Sequence, residues 1–186
     1  TYNLQPDMIS LAKGLSSGYL PISALMVSEN IFRSIKIESK KIGIFSHGYT
    51  YGGHPVPCAV ALETLRIYDR INIVEHVNKV SPTFQNGIRS LIDHPLIGDA
   101  RGVGLLAAIE LVKNKQTKEP FNSSDEVGAI FANQIQSNGL ISRAMGDSLA
   151  FAPPLIIEDK QIEKMLRIIE RSLDETHKIL INKGLK

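Results

Sequence analysis

Short apolar runs alternate along this chain with longer stretches in which apolar residues recur every three or four positions. Residues 8–12 and 24–27 are apolar runs too short for an amphipathic helix, so they predict buried strands. From about Asp159 onward, one helical face is apolar and the other is charged, and the apolar face carries Ile162, Met165, Leu166, Ile169 and Leu173. A chain that contains both patterns is predicted to fold into the α/β class.

The first half of the chain predicts a loop followed by two helices. Residues 46–53 are rich in glycine, serine, threonine and tyrosine, which is typical of a loop. A helix is expected over residues 56–68, and a second helix is expected to end near residue 91. Residues 69–72 are polar and interrupt the pattern between these helices, so we predict two domains, 1–75 and 76–186, of which the second is a small α+β domain.

The second half predicts further strands and helices in alternation. A glycine-interrupted strand is expected over residues 102–112. Ser123 and Glu126 have the spacing of a capping box, in which a hydroxyl and a carboxylate bind free amides at the start of a helix. Asn138-Gly139 is typical of the end of that helix, and a strand is expected to begin at Leu140 and to lead to Arg143.

The composition argues against several classes of partner. The formal charge of +2 comes from basic residues scattered among acidic ones, so no basic face of the kind that binds nucleic acid is expected. No stretch is long and apolar enough to cross a bilayer, and the first residues lack the pattern of a secretory signal. We therefore expect a cytoplasmic protein with no nucleic-acid or membrane partner.

Neither the histidines nor the single cysteine predict a metal site. His47 and His54 share a loop that offers no cysteine or carboxylate at ligand spacing, and the other histidines are scattered. Cys58 has no second cysteine with which to form a disulfide, and its neighbours are typical of a small apolar helix residue. We expect no metal.

Lys13 is the first candidate for chemistry. It ends the apolar run and opens a turn of small residues, where Ile9, Leu11 and Ala12 would withdraw its amine partly from water. A neutral fraction of such an amine is nucleophilic and can condense with an aldehyde. Most lysines beside a glycine turn are merely solvated, so spacing alone leaves this interpretation open.

A second segment strengthens the interpretation. Residues 49–55 read Tyr-Thr-Tyr-Gly-Gly-His-Pro, and together with the lysine turn they make the chain resemble the class III aminotransferases. The resemblance extends over nearly all 186 residues, with matching order and spacing. Four stretches carry it: residues 6–21, 47–55, 101–105 and 143–155.

The resemblance implies the fold and the cofactor. It implies the C-terminal portion of a fold type I enzyme that uses pyridoxal 5′-phosphate (PLP), with the end of the large PLP-binding domain in residues 1–75. Family members are longer, and the expected ring-nitrogen aspartate, phosphate loop and ring-stacking aromatic residue would all precede Thr1. The family also implies a homodimer.

The resemblance also implies roles for single residues. Lys13 would form the Schiff base with PLP and then move the proton. Thr50, with Tyr49 beside it, would bind cofactor, the Thr50 hydroxyl reaching the phosphate held by the neighbouring subunit. Arg143 would bind a substrate carboxylate through two parallel hydrogen bonds, although a surface salt bridge is the alternative. Tyr19 would line the substrate pocket, where an ordinary buried aromatic is an equal alternative.

The implied reaction is transamination with ping-pong kinetics. Residues 16–21 and 48–55 are more similar to the branch that moves amino groups from amines or ω-amino acids to pyruvate than to the ornithine or 4-aminobutyrate branches. The substrates would accordingly be a small amine and a keto acid.

Two other functions stay open from the sequence. Residues 14–18 match the Gly-x-Ser-x-Gly pattern of a serine hydrolase, with Ser16 as nucleophile, but Pro21 interrupts the helix that should follow. The chain could also be a folded, dimerising module that is catalytically inactive, because the residues that would complete the cofactor site precede Thr1. Arg101, in a glycine turn, is a weaker candidate for a site residue.

Overall fold

The computed structural model describes residues 2–186 and divides into two compact units, one that ends at Ile71 and one that covers Asn72–Lys186. Both units contain helices and strands, which confirms the mixed α/β class. Assignment of the first unit to a larger PLP-binding domain stays a prediction. Within residues 2–186 no helix is both long and apolar enough to cross a bilayer.

The first unit contains a two-stranded sheet and two helices. Strand β1 (Met8–Leu11) pairs antiparallel with β2 (Ala24–Val27), with Met8 opposite Val27, and a 3₁₀ turn covers Lys13–Ser16. Helix α1 spans Glu29–Ile42 and α2 spans Pro55–Arg70. Both strands lie where the apolar runs predicted them. The prediction that they are buried is wrong, since most of their side chains are exposed and no second layer covers the sheet within the described residues of this unit.

Helix α1 was not predicted from the sequence. It begins after Ser28, whose backbone is extended, and ends at Gly43, whose φ of +77° is a left-handed conformation that glycine adopts without strain. Its residues are half-buried or exposed throughout. Ile31, Phe32 and Ile35 nevertheless recur at three- and four-residue steps, so the sequence does contain a local signal for this helix.

The second unit packs three helices with a four-stranded antiparallel sheet. The strands lie in the order β3-β4-β6-β5. The helices α3 and α4 contact the sheet, and α5 packs against both of them. The bounds are α3 Ile73–Ser90, β3 Ile97–Val103, β4 Leu106–Leu111, α4 Val127–Ser137, β5 Arg143–Met145, β6 Ser148–Phe151 and α5 Asp159–Asn182.

Side chains from the helices and from one face of the sheet form the core of the second unit. Alternate residues of β4 are buried, as the period of two in a strand requires when one face is covered. The buried residues with no exposed surface include Phe84, Ile88, Ile109, Phe131, Leu149, Ile162, Ile169 and Leu173. The apolar stripe predicted for the last helix faces this core, although Leu166 at its edge is only half-buried.

Three details of the second unit differ from the sequence predictions. The strand predicted over residues 102–112 is instead a hairpin that turns at Gly104, whose φ is +58°. The capping box is formed by Asn122 and Asp125 rather than by Ser123 and Glu126. The last strand pair begins at Arg143 and not at Leu140, because Gly139, in a left-handed conformation, is followed by irregular backbone up to residue 142.

Candidate active site

Lys13 stands at the start of the 3₁₀ turn that follows β1. The turn is closed by backbone hydrogen bonds from Leu15 to the Ala12 carbonyl (3.2 Å) and from Ser17 to the Gly14 carbonyl (3.1 Å). The φ of Lys13 is +55°, a left-handed conformation that is uncommon for a residue other than glycine. Such backbone conformations persist where surrounding contacts hold them, and they are concentrated at functional sites.

The environment of Lys13 differs from the sequence expectation. The side chain is exposed, and so are Ile9 and Ala12, while Leu11 is half-buried. The prediction that these three residues withdraw the amine from water is therefore wrong for the described residues. The reason is that the two-stranded sheet is covered on neither face, so its apolar side chains shield little of the turn.

Ser16, the alternative nucleophile, is buried in the same turn. Only 2 % of its surface is exposed, and its hydroxyl donates a 2.6 Å hydrogen bond to the Leu20 carbonyl. A serine nucleophile must face the substrate with a base in reach of its proton. The Ser16 hydroxyl instead donates its proton to a backbone carbonyl, which argues against the hydrolase hypothesis.

The glycine-rich segment predicted as a loop is irregular from residue 45 to residue 54. Its turns are closed by hydrogen bonds from Gly52 to the Tyr49 carbonyl (2.8 Å) and from His54 to the Tyr51 carbonyl (3.2 Å). His54 Nδ1 then accepts a 3.2 Å hydrogen bond from the Val56 amide and caps α2, so this histidine has a structural role. The loop thus ends at a fixed point, the first turn of α2.

The lysine turn and this loop line one concavity. Its volume is about 1110 Å³, and its wall includes Lys13, Tyr49, Tyr51, Gly52, Gly53 and the half-buried Cys58. The structure therefore brings Lys13 and Tyr49 together, although they are far apart in sequence. Thr50 and Tyr19 are not part of the wall, and Tyr19 is 80 % exposed.

The two arginine candidates lie in the second unit and have different environments. Arg143 is the first residue of β5 on the edge of the sheet, where it is exposed, and no residue of 2–186 forms a salt bridge with it. Arg101 instead binds the carboxylates of Asp99 and Glu110, the latter at 3.2 Å, and these hydrogen bonds raise its pKa. A surface salt bridge was the alternative role for Arg143, but within residues 2–186 it is Arg101 that forms one.

Sequence reasoning missed one residue that contacts the lysine turn. The hydroxyl of Tyr68, in the last turn of α2, donates a 2.9 Å hydrogen bond to the carbonyl of Gly14. The two residues are 54 positions apart, and no local pattern marks the pair.

No group of three or more histidine, cysteine, aspartate or glutamate side chains suited to a metal ion occurs in the part of the chain that the structure describes.

Comparisons with known proteins agree on one family. The family profile described as Aminotransferase class-III matches residues 1–173. Mitochondrial gamma aminobutyrate transaminase 1 of Solanum lycopersicum is 45 % identical over 177 residues, which cover 95 % of this chain and 34 % of that protein. The chain thus spans about a third of the length of this relative.

Solved structures give the same result. A structure described as a transaminase with L-ala superposes with a TM-score of 0.93 at 44 % identity, covering 96 % of this chain and 42 % of the other. The omega transaminase from Pseudomonas jessenii, solved in complex with PMP, superposes with a TM-score of 0.88 at 41 % identity, covering 94 % and 38 %.

Proposed function

The chain belongs to the class III aminotransferases, and from this premise we propose that it is part of a PLP enzyme that moves an amino group from an amine or ω-amino acid to a keto acid such as pyruvate. One observation carries the proposal. Lys13 and the glycine-rich loop, which are distant in sequence, line the same concavity. Lys13 supplies the amine that an aldehyde cofactor requires, and the glycine-rich loop is a backbone segment that a phosphate can approach closely.

The residues of the concavity fit PLP. Its volume of about 1110 Å³ exceeds what a small ring with one phosphate fills, and Gly52 and Gly53 place no side chain in the wall. The Gly53 φ of +71° also makes this position unsuited to other residues. When bound, the cofactor supplies an aldehyde for imine formation and a ring that delocalises the electron pair left by proton loss.

Lys13 has two tasks in the proposed reaction. Its Nζ would hold the cofactor covalently until a substrate amine displaces it, and the freed Nζ would then take the proton from the substrate carbon and deliver it to the cofactor. The same two transfers would run in reverse with the keto acid acceptor after the first product has left, which predicts ping-pong kinetics. The exposure of Lys13 within the concavity leaves Nζ accessible for both tasks.

Two further residues are proposed as ligands. Thr50 would bind the cofactor of the partner subunit, and Arg143 would bind the substrate. The Thr50 hydroxyl is proposed to bind the cofactor phosphate of the neighbouring subunit in a homodimer, and its position outside the wall of its own concavity supports this. Arg143 is exposed and has no salt bridge in residues 2–186, which supports its role as a ligand for a substrate carboxylate. Tyr19 stays a predicted residue of the substrate pocket. The cytoplasmic location of the protein also stays a prediction.

Covalent trapping tests the proposal directly. The chain is mixed with PLP, reduced with borohydride and digested, and the peptides are analysed by mass spectrometry. We expect a pyridoxyl adduct on Lys13 that is absent from Lys13→Ala. A folded chain without an adduct on Lys13 would instead indicate an inactive module.

A donor and acceptor screen tests the substrate class. A full-length enzyme that contains this sequence is assayed with several amines and ω-amino acids, including 4-aminobutyrate, because one relative is named for that substrate. Each donor is paired with pyruvate and with 2-oxoglutarate. Greater turnover with 2-oxoglutarate would contradict the assignment to the pyruvate branch.

A further inference from the structure

We propose that Tyr68 is a positioning residue for Lys13, and that its hydroxyl keeps the lysine turn in register with the glycine-rich loop. The inference rests on the proposed function of Lys13. The backbone of the turn and of the residue that ends it contains two residues other than glycine with left-handed conformations: Lys13 with φ +55° and Ser17 with φ +51°. Such a turn needs contacts from outside to hold its shape.

Two side-chain hydrogen bonds involve the turn within residues 2–186. In one, the Ser16 hydroxyl donates to the carbonyl of Leu20, four positions further along the chain, at 2.6 Å. The other comes from outside, from the Tyr68 hydroxyl to the Gly14 carbonyl at 2.9 Å. The Gly14 carbonyl also accepts the Ser17 amide at 3.1 Å, so Tyr68 binds the oxygen that closes the turn around Lys13.

Helix α2 links this hydrogen bond to other residues that line the concavity. The loop of residues 49–54 runs directly into its first turn, where Pro57 and Cys58 also line the concavity. Tyr68 lies in its last turn. Because a helix is stiff over this length, the contact at Gly14 sets where Lys13 stands relative to Tyr49, Gly52 and Gly53.

Loss of the hydroxyl should loosen the turn while the ring still packs. In Tyr68→Phe the amide of Ser17 is expected to exchange with solvent about two- to tenfold faster, the range that one hydrogen bond contributes. The rate at which PLP is trapped on Lys13 by borohydride should fall by a similar factor. Tyr2→Phe, at a 70 % exposed tyrosine without a side-chain hydrogen bond in the described residues, is the matched control and should change neither rate.

A second arm separates positioning from a merely structural role. Incorporation of 3,5-difluorotyrosine at position 68 keeps the shape of the ring and lets the hydroxyl lose its proton at lower pH. The trapping rate relative to that of the unmodified chain should then decline with rising pH from the point where the fluorinated hydroxyl ionises. This arm decides the question even if Tyr68→Phe does not fold.

The outcomes distinguish this inference from the proposed function. Slower trapping in Tyr68→Phe together with the fluorotyrosine pH profile supports the inference. Equal trapping in the wild-type chain and Tyr68→Phe overturns it and leaves the function of Lys13 intact, as does faster amide exchange without slower trapping. An absence of any adduct on wild-type Lys13 overturns the proposed function itself, and in that case the role of Tyr68 falls with it.

Discussion

The Gly128 amide donates a 3.0 Å hydrogen bond to Asp147 Oδ1, which fastens the turn of the β5–β6 hairpin to the first turn of α4. The Asp147 carbonyl in turn accepts the amide of Leu111 at 2.9 Å, at the end of β4. A Cβ atom on Gly128 would overlap the carbonyl oxygen of Gly146. The close approach of two backbones at this glycine therefore sets the position of the hairpin that carries Arg143.

Gly128→Ala is expected to lower the free energy of unfolding of the second unit by about 2–3 kcal/mol, because the added methyl group overlaps backbone atoms that cannot rotate away. Denaturant unfolding followed by far-UV circular dichroism measures the change. Asn133→Ala, on the exposed side of the same helix, should stay within about 0.5 kcal/mol of the wild-type chain. Equal stability of Gly128→Ala and the wild type would contradict the close approach.

Two histidines make the stability of the second unit depend on pH. His94 and His177 meet edge to face with ring centroids 5.7 Å apart, and burial lowers the pKa of both. Asp174 opposes this effect and raises the pKa of both histidines. The pKa of His94 is lowered further by His177 and Lys115, and that of His177 by Lys186. Protonation of His94 at Nδ1 would in addition remove the hydrogen bond that this atom accepts from the Leu96 amide at 3.2 Å.

The direction of the pH effect follows from these lowered values. Below the ordinary histidine pKa of 6.5 the unfolded chain binds protons that the folded chain does not yet bind, so the free energy of unfolding falls as the pH decreases. Well above pH 6.5 both states are neutral and this contribution is constant. Thermal unfolding between pH 5 and 8 measures it, and the double variant His94→Asn and His177→Asn should have a flatter profile. An unchanged profile in that variant would show that other groups cause the dependence.

The fold was predictable from the sequence where local patterns decide it. The stripe of α5 and the end of α4 at Asn138-Gly139 depend on residues close in sequence, and both are found where the patterns indicate. The capping box was predicted one position late, since Asn122 and Asp125 have the same spacing as Ser123 and Glu126 and equally suitable side chains. Local chemistry cannot choose between two such pairs, so the surrounding packing does.

The candidate site was predictable only in part. Lys13 and the loop were identified through motifs, but their shared concavity depends on how the 3₁₀ turn packs against α2, which no local pattern contains. Tyr68 gave no signal because its partner is a backbone carbonyl, which every residue has. The exposure of Lys13 was also missed, since an apolar strand predicts burial only where another layer covers it.

Arg143 and Arg101 should affect catalysis differently. Arg143→Ala in a full-length enzyme that contains this sequence is expected to raise KM for a keto acid about ten- to hundredfold, because a charged hydrogen bond to the carboxylate is lost. Arg101→Ala should change KM less than about threefold, since Asp99 and Glu110 already bind its guanidinium. Steady-state kinetics with pyruvate measures both. Equal effects of the two substitutions would contradict the role proposed for Arg143.

Replacement of Lys13 should separate its chemistry from its effect on stability. Lys13→Ala and Lys13→Gly both remove the amine, so neither chain should give a pyridoxyl adduct at position 13. The left-handed φ of +55° strains alanine but not glycine, so Lys13→Gly is expected to be more stable than Lys13→Ala by about 1 kcal/mol. Because the side chain is exposed, little packing is lost in either variant.

Denaturant unfolding of the two chains measures the difference. Gly48→Ala provides the reference for an unstrained exchange between glycine and alanine, because Gly48 has open space around it and no left-handed backbone. If Lys13→Ala were as stable as Lys13→Gly, the turn would relax without cost, and the backbone conformation of Lys13 would not be held by its contacts.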